Sequence, residues 1–272
     1  MTRISIITTS YNQAQYLGQT IQSVLDQKYP DMEHLILDGG STDGSVEIIR
    51  RHERNLAFWT SGPDGGQTQA LNAGLRRATG DVVAWLNSDD YYDEGVLHTV
   101  AAEFERTGAD VVYGDYTLVN EAGRPFLVRK EIAFDYSVLL HGVNYIGQPA
   151  AFFRRRLLLE HGYLDESYQY MMDYEFWIRV GGRGAVFTHV PRNLAFYRYH
   201  EGSKTVAQTA RFVAERRRIR STYSAVRDPV RLKLLEWQAR FHRQWRKLTR
   251  RGTIDYLGGP LNRLAYRLRR SS

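Results

Sequence analysis

The stretch Val82-Val83-Ala84-Trp85-Leu86-Asn87-Ser88-Asp89-Asp90 decides the fold: an apolar run of strand type stops on two adjacent carboxylates. Open α/β sheets bind ligands at the carboxyl ends of their strands, so this acidic pair is placed where a ligand would sit. Hard oxygen donors suit Mg²⁺ or Mn²⁺, and those ions commonly complete their shell with a substrate's phosphates. A cap on the helix beginning near Asp93 accounts for the same pair without a ligand.

Upstream of this stretch, short β-rich runs alternate with helical patterns. Strands are predicted over Arg3–Thr8, Met32–Leu37, Ala57–Thr60 and Asp81–Asn87, and helices over Gln15–Asp26, Ser45–His52 and Gln67–Arg77. Such alternation predicts βαβ units and a mostly parallel sheet whose strand-end loops share one edge. Downstream, the pattern predicts a helix over Glu94–Arg106, a strand over Asp110–Gly114 and a hairpin of Tyr116–Asn120 with Pro125–Arg129. It continues with a strand over Gln148–Phe153, helices over Arg155–His161 and Asp173–Val180, and late strands over Val186–Val190 and Leu194–Tyr199.

The chain has 272 residues, 43% of them hydrophobic, which is enough for a sizeable core. It contains no cysteine, which excludes a disulfide framework, a zinc–thiolate site and a thiol nucleophile. No signal-peptide apolar region opens the sequence and no run approaches a membrane span, so a cytoplasmic location is expected. The net charge of +7 hides an asymmetry: residues 201–272 carry 19 Lys and Arg against 5 Asp and Glu, and residues 1–200 carry 18 against 25. An acidic body needs a cation to accept a phosphate-rich substrate, whereas a basic tail attracts anionic surfaces.

Four successive strand ends carry polar, Gly-rich or acidic loops. The first is Thr8-Thr9-Ser10-Tyr11-Asn12, where hydroxyls and helix-start amides can hold phosphate and a tyrosine can stack on a heterocycle. The second, Asp38-Gly39-Gly40-Ser41-Thr42-Asp43-Gly44-Ser45, lets the backbone approach a ligand, and its leading carboxylate can accept from a ring N–H or a ribose hydroxyl. It is neither a Walker loop nor a dinucleotide fingerprint. The third is Gly62-Pro63-Asp64-Gly65-Gly66-Gln67, entering a helix that carries Gln69 and Asn72; the fourth is the Asp89–Asp90 loop. Simple capping explains one such loop, not four in one sheet.

These motifs, together with Gln148-Pro149, Met172-Asp173-Tyr174-Glu175-Phe176-Trp177 and Tyr197-Arg198-Tyr199-His200, resemble the inverting family-2 glycosyltransferases with a GT-A fold. The nearest branch is the one associated with bacterial O-antigen and exopolysaccharide assembly. The resemblance spans about residues 3–203 and implies a catalytic domain over 1–203 with a helical extension over 204–272. It implies that Thr8, Tyr11 and Asp38 grip the nucleotide, with Thr9, Asn12 and Gly39 beside them and Asp38 reading the uracil edge of a UDP-sugar. Asp64, Gln67 and Asn72 line the nucleotide or sugar pocket, with Asn87 and Ser88 adjoining. Asn87-Ser88-Asp89 lies where the family has Asp-x-Asp, so an amide replaces the first carboxylate. Asp89 becomes the principal ligand of Mn²⁺ or Mg²⁺, Asp90 a supporting group, and His200 a further ligand.

Inverting transfer needs a base to deprotonate the acceptor hydroxyl opposite the leaving diphosphate. The resemblance assigns this to Asp173, at the start of a short helix whose N-terminus is expected to lower its pKa; Glu175 ranks second. Gln148, Tyr163, Tyr170 and Trp177 are candidate acceptor contacts, and a core role for Trp177 is an equal alternative. In the tail, arginines interleaved with Phe212, Trp237, Phe241, Trp245 and Leu248 predict amphipathic helices. Such helices can lie on an anionic membrane, suiting a lipid-linked saccharide acceptor, or can pack back on the catalytic domain. No nucleic-acid motif accompanies the charge, so nucleic acid is not an expected partner. The rival readings are a sugar-phosphate nucleotidyltransferase, which lacks here its early Gly-rich loop with Arg and Lys, and a nucleotide-sugar or anionic-surface binding protein without catalysis.

Overall fold

A computed structural model describes residues 1–203 and 210–249. Strands β1 (Ile4–Ser10), β2 (Met32–Asp38), β3 (Phe58–Ser61) and β4 (Val82–Trp85) run parallel in the spatial order β3-β2-β1-β4. They alternate with helices α1 (Ala14–Leu25), α2 (Ser45–His52) and α3 (Gln67–Arg77). Every residue of β1 and β4 is buried because helices cover both faces of the sheet; β4 therefore reads as an unbroken apolar run, whereas β1 buries Ser5, Thr8, Thr9 and Ser10 among its isoleucines. Ile7 pairs with Leu35 on one side and Trp85 on the other, so the ends of β1, β2 and β4 reach the same edge.

The second half adds β5 (Tyr91–Tyr92), α4 (Val96–Thr107), β6 (Val111–Val119), β7 (Pro125–Arg129), β8 (Ala151–Arg154), α5 (Arg156–His161), α6 (Met172–Gly181) and β9 (Phe187–Arg198). The described residues form one nine-stranded sheet, β3-β2-β1-β4-β8-β6-β9-β5, with β7 on β6. Strand β8 is antiparallel to both β4 and β6, and β6 runs parallel to β9.

Here the structure corrects several predicted boundaries. The two strands expected over Asp110–Gly114 and Tyr116–Asn120 are one, β6, and the two late strands are one, β9. Gly114 and Pro191 read as breaks, yet they occupy the irregularity where the β6–β9 register shifts; Val190 faces Gly114 and Asn193 faces Asp115, leaving Pro191 and Arg192 unpaired. A Cβ on Gly114 would lie 2.4 Å from Leu194 Cγ, so glycine permits the close approach. Only the end of the strand expected over Gln148–Phe153 is a strand: Gln148–Ala150 forms a 3₁₀ turn around Pro149. A π-helical turn at Val138–Gly142 and strand β5 had not been predicted.

The C-terminal helices α7 (Ala210–Tyr223) and α8 (Pro229–Thr249) pack against the body, and Ile219 and Ala239 are buried in the same apolar cluster as Trp85, Phe153 and Trp177. An ion cluster fixes α8. Glu131, fully buried, accepts from Arg243 Nη2 at 2.8 Å to both carboxylate oxygens and from Lys247 Nζ at 3.3 Å. Removing a buried charge partner typically costs about 3–5 kcal/mol. Glu131→Ala is therefore expected to lower the unfolding free energy by about that amount, read as a reduced urea midpoint; an unchanged midpoint would contradict the role of this cluster.

Candidate active site

A cavity of about 540 Å³ opens at the carboxyl ends of β1 to β4, lined among others by Thr9, Tyr11, Gly39, Asp64, Gln67, Ser88 and Asp89. The loops around it brace one another. Asn12, at φ 51°, receives Thr42 N–H on its side chain, and its own N–H donates to Ser41 Oγ. Asp38 is buried and its carboxylate accepts from the N–H groups of Gly40 and Ser41 and from the hydroxyls of Ser41 and Ser61. A Cβ on Gly39 would sit 3.1 Å from Asp64 Oδ2 and 3.3 Å from Tyr11 Cδ2, so glycine lets those side chains converge on the cavity. Three lining residues hold buried polar atoms with no hydrogen-bond partner among the described residues: Ser10 Oγ, Gln13 Oε1 and Ser203 Oγ. Buried polar atoms are nearly always satisfied, so these point to a polar ligand.

The acidic loop after β4 is held from β9. Arg198 donates from its main-chain N–H to Asp90 Oδ1 and from Nε to the Asp89 carbonyl, both at 2.9 Å. Asp90 is 1% exposed, and burial together with neighbouring Asp89 holds its carboxyl well above the usual carboxylate range. Its second oxygen receives Asn87 Nδ2, so Asp90 braces the loop. Asp89 Oδ2 lies 3.0 Å from His200 Nε2, and the His200 ring packs against Tyr16. Among the described residues no cluster of three or more His, Asp or Glu forms a cation cage. Asp89 lines the cavity and His200 lies buried behind it, so this carboxylate oxygen and imidazole nitrogen would fit a cation that draws its other ligands from substrate phosphates.

A second cavity, about 250 Å³, adjoins the first, and Gln67, Asn87 and Tyr197 line both. Gln67 Nε2 donates to Asn87 Oδ1, and Asn87 Nδ2 donates to Gln148 Oε1, so the partition is an amide chain. Asp173, Asn144, Gln148, Tyr170, Tyr116 and Arg129 line the second cavity. Asp173 begins α6 and accepts from Asn144 Nδ2 at 3.0 Å. The helix N-terminus was expected to lower its pKa. Instead burial dominates, and the carboxyl is pushed up to about 6 despite hydrogen bonds from main-chain N–H groups and Asn144. The segment leading into α6 is itself tethered: Glu215 of α7 accepts the N–H groups of Gln169, Tyr170 and Met171 at 2.9–3.1 Å.

Some expected site residues lie elsewhere. Thr8 is buried with its hydroxyl on His34 Nε2, because alternation along β1 turns it away from the cavity that Thr9 faces. Asn72 is turned into the protein, bonding both main-chain groups of Leu164 and the Glu166 carboxylate. Glu175, ranked second to Asp173, is instead a buried brace bonded to Arg179 and Tyr223, and it lines neither cavity. Trp177 is 1% exposed and stacks on Trp85 with ring centroids 5.9 Å apart, so it belongs to the core. Tyr163 lies under Arg76, away from both cavities. Sequence reasoning gave no role to Asn144, Arg198 or Glu215; only Arg198, inside Tyr197–His200, stood in a recognisable motif.

The profile of Glycosyl transferase family 2 matches residues 5–164, more than half of the chain. The chain belongs to this family and is a glycosyltransferase. It is 32% identical to an uncharacterized glycosyltransferase of Mycobacterium tuberculosis over 180 residues, which cover 65% of this chain and 68% of that protein. It is 28% identical over 166 residues to the poly(ribitol-phosphate) beta-N-acetylglucosaminyltransferase TarS of Staphylococcus aureus; that match covers 59% of this chain but only 29% of TarS. Among solved structures, a TarS fragment in complex with UDP-GlcNAc superposes with a TM-score of 0.63 at 19% identity, covering 81% of this chain and 71% of the fragment. The mannosyltransferase PcManGT of Pyrobaculum calidifontis, in complex with GDP-Man and Mn²⁺, gives 0.61 at 18% identity, covering 91% and 72%. These likenesses establish the GT-A fold for the family-2 chain.

Proposed function

We propose that this family-2 enzyme is cation-dependent and inverting, moving a sugar from a nucleoside-diphosphate donor, a UDP-sugar first, to a hydroxyl of a saccharide or lipid-linked saccharide in surface-polysaccharide assembly. One observation carries the reading: two cavities share a wall of Gln67, Asn87 and Tyr197, with Asp89 lining one and Asp173 the other. The donor occupies the larger cavity, where Ser10, Gln13 and Ser203 offer unmatched polar atoms and Tyr11, 64% exposed, offers a ring face for a base. Asp89 and His200 would hold Mg²⁺ or Mn²⁺, which supplies neutralisation of the charge developing on the leaving diphosphate. The acceptor occupies the smaller cavity, whose tyrosines and amides suit a sugar. Asp173 takes the proton from its hydroxyl oxygen as that oxygen bonds to the anomeric carbon. A base with a pKa of about 6 is ionised at neutral pH yet more basic than an ordinary aspartate.

Donor complexes of TarS and PcManGT support a nucleoside-diphosphate sugar, and the latter's Mn²⁺ supports a divalent cation. The test is a thermal-shift screen of UDP, dTDP and GDP with and without Mn²⁺. At ligand concentrations 100-fold above Kd the gain is about 2.7 kcal/mol, or on the order of 5 °C for a chain of this size. UDP with Mn²⁺ is expected to give the largest shift. No shift with any nucleotide would overturn the reading.

A further inference from the structure

We propose that the outward face of α8 is a docking surface for an anionic lipid bilayer. Helix α8 turns Ala239, Arg243 and Lys247 inward, with Ala239 against Gly142 and the two cations on Glu131. On the opposite side Val230, Leu234, Trp237, Phe241, Trp245 and Leu248 recur every three or four residues, forming one continuous stripe. Every one of them is solvent-exposed, Trp237 at 64% and Phe241 and Trp245 at 59% each, and Trp237 and Phe241 stack with centroids 5.6 Å apart. Apolar side chains exposed singly are ordinary, whereas a continuous stripe of six large ones on one helix marks an interaction surface.

Charge selects the occupant. On helix α8, Arg243 and Lys247 turn inward to Glu131 and Arg246 reaches Asp135, so the cations beside the stripe are Arg231, Lys233 and Arg240. At 100° per residue Lys233 and Arg240 flank one edge of the stripe and Arg231 the other. A second copy of this chain would set two cationic helices against each other. An anionic headgroup layer complements the flanks while Trp, Phe and Leu enter the acyl boundary, the pattern of interfacial helices. The surface lies apart from both cavities and does not depend on the donor chemistry.

The test is co-sedimentation of the full-length protein with phosphatidylglycerol-containing and pure phosphatidylcholine vesicles, alongside the triple variant Trp237→Ser, Phe241→Ser, Trp245→Ser. Wild type is expected to bind anionic vesicles on the order of tenfold more tightly than neutral ones, and the variant to lose on the order of tenfold or more. Circular dichroism and the UDP–Mn²⁺ thermal shift report folding and the donor site separately, so loss of vesicle binding with both retained supports the proposal. Wild type that ignores anionic vesicles, a folded variant that binds them undiminished, or a wild-type dimer in sedimentation velocity that these substitutions dissolve would each overturn it.

Discussion

Asp173→Asn is expected to lower kcat by about 10²–10⁴-fold, the range attributable to a general base, while leaving UDP–Mn²⁺ binding at wild-type strength. The amide keeps the size of the carboxyl and its oxygen can still accept from Asn144 Nδ2, so the second cavity holds its shape. What is lost is a group that can take the acceptor proton. In the wild type, kcat should fall tenfold per pH unit below about 6, because the carboxyl protonates there. Stability follows the same carboxyl in the opposite sense. Its folded pKa lies above the ordinary value of 3.8, so its contribution is most favourable below that value and is lost as pH rises through about 6. Asp173→Asn should therefore stabilise the protein at pH 7, by at most about 3 kcal/mol, with the gain vanishing toward pH 4. Turnover within a few-fold of wild type would remove Asp173 from the base role.

Asp89→Ala should act on the donor instead. It removes the one carboxylate oxygen in the cavity that pairs with His200, leaving an imidazole alone against the diphosphate. Changes to the outer partners of a metal ligand commonly cost about 10–100-fold in affinity, so loss of the ligand itself should exceed about 100-fold in the Mn²⁺-dependent part of UDP binding. Calorimetric titration of UDP with and without Mn²⁺ separates that part from metal-independent contacts. Equal affinities in wild type and variant would show that the cation, if bound, sits elsewhere. Asp90→Ala should behave differently: its oxygens hold Arg198 N–H and Asn87, so its loss should appear in stability.

The half of the fold that presents the larger cavity was legible because β1, β2 and β4 are buried almost throughout and its loops are punctuated by Gly, Asp and Ser. The half that presents the smaller cavity was harder for identifiable reasons. Gly114 and Pro191 look like ends of strands but sit at a bulge inside two long ones. Residues 130–147 carry no clear period, and they hold both the π-turn and Asn144. Trp177 lies on an amphipathic helix, where an aromatic serves a core and a sugar equally well until its stacking on Trp85 is seen. Thr8 and Thr9 are adjacent hydroxyls of which the sequence cannot choose one; both are buried, but strand alternation turns Thr8 to His34 and Thr9 to the cavity. Glu215 acts across 44–46 positions of chain, a separation at which no local pattern signals pairing.

The joined cavities are tested most directly by a crystal structure of the Asp173→Asn protein with UDP and Mn²⁺. The nucleotide is expected between Tyr11, Gly39 and Asp64, with Mn²⁺ bound by Asp89 and the β-phosphate directed at the Gln67–Asn87–Tyr197 wall that opens toward residue 173. A nucleotide outside that cavity, or a β-phosphate pointing away from the wall, would contradict this expectation.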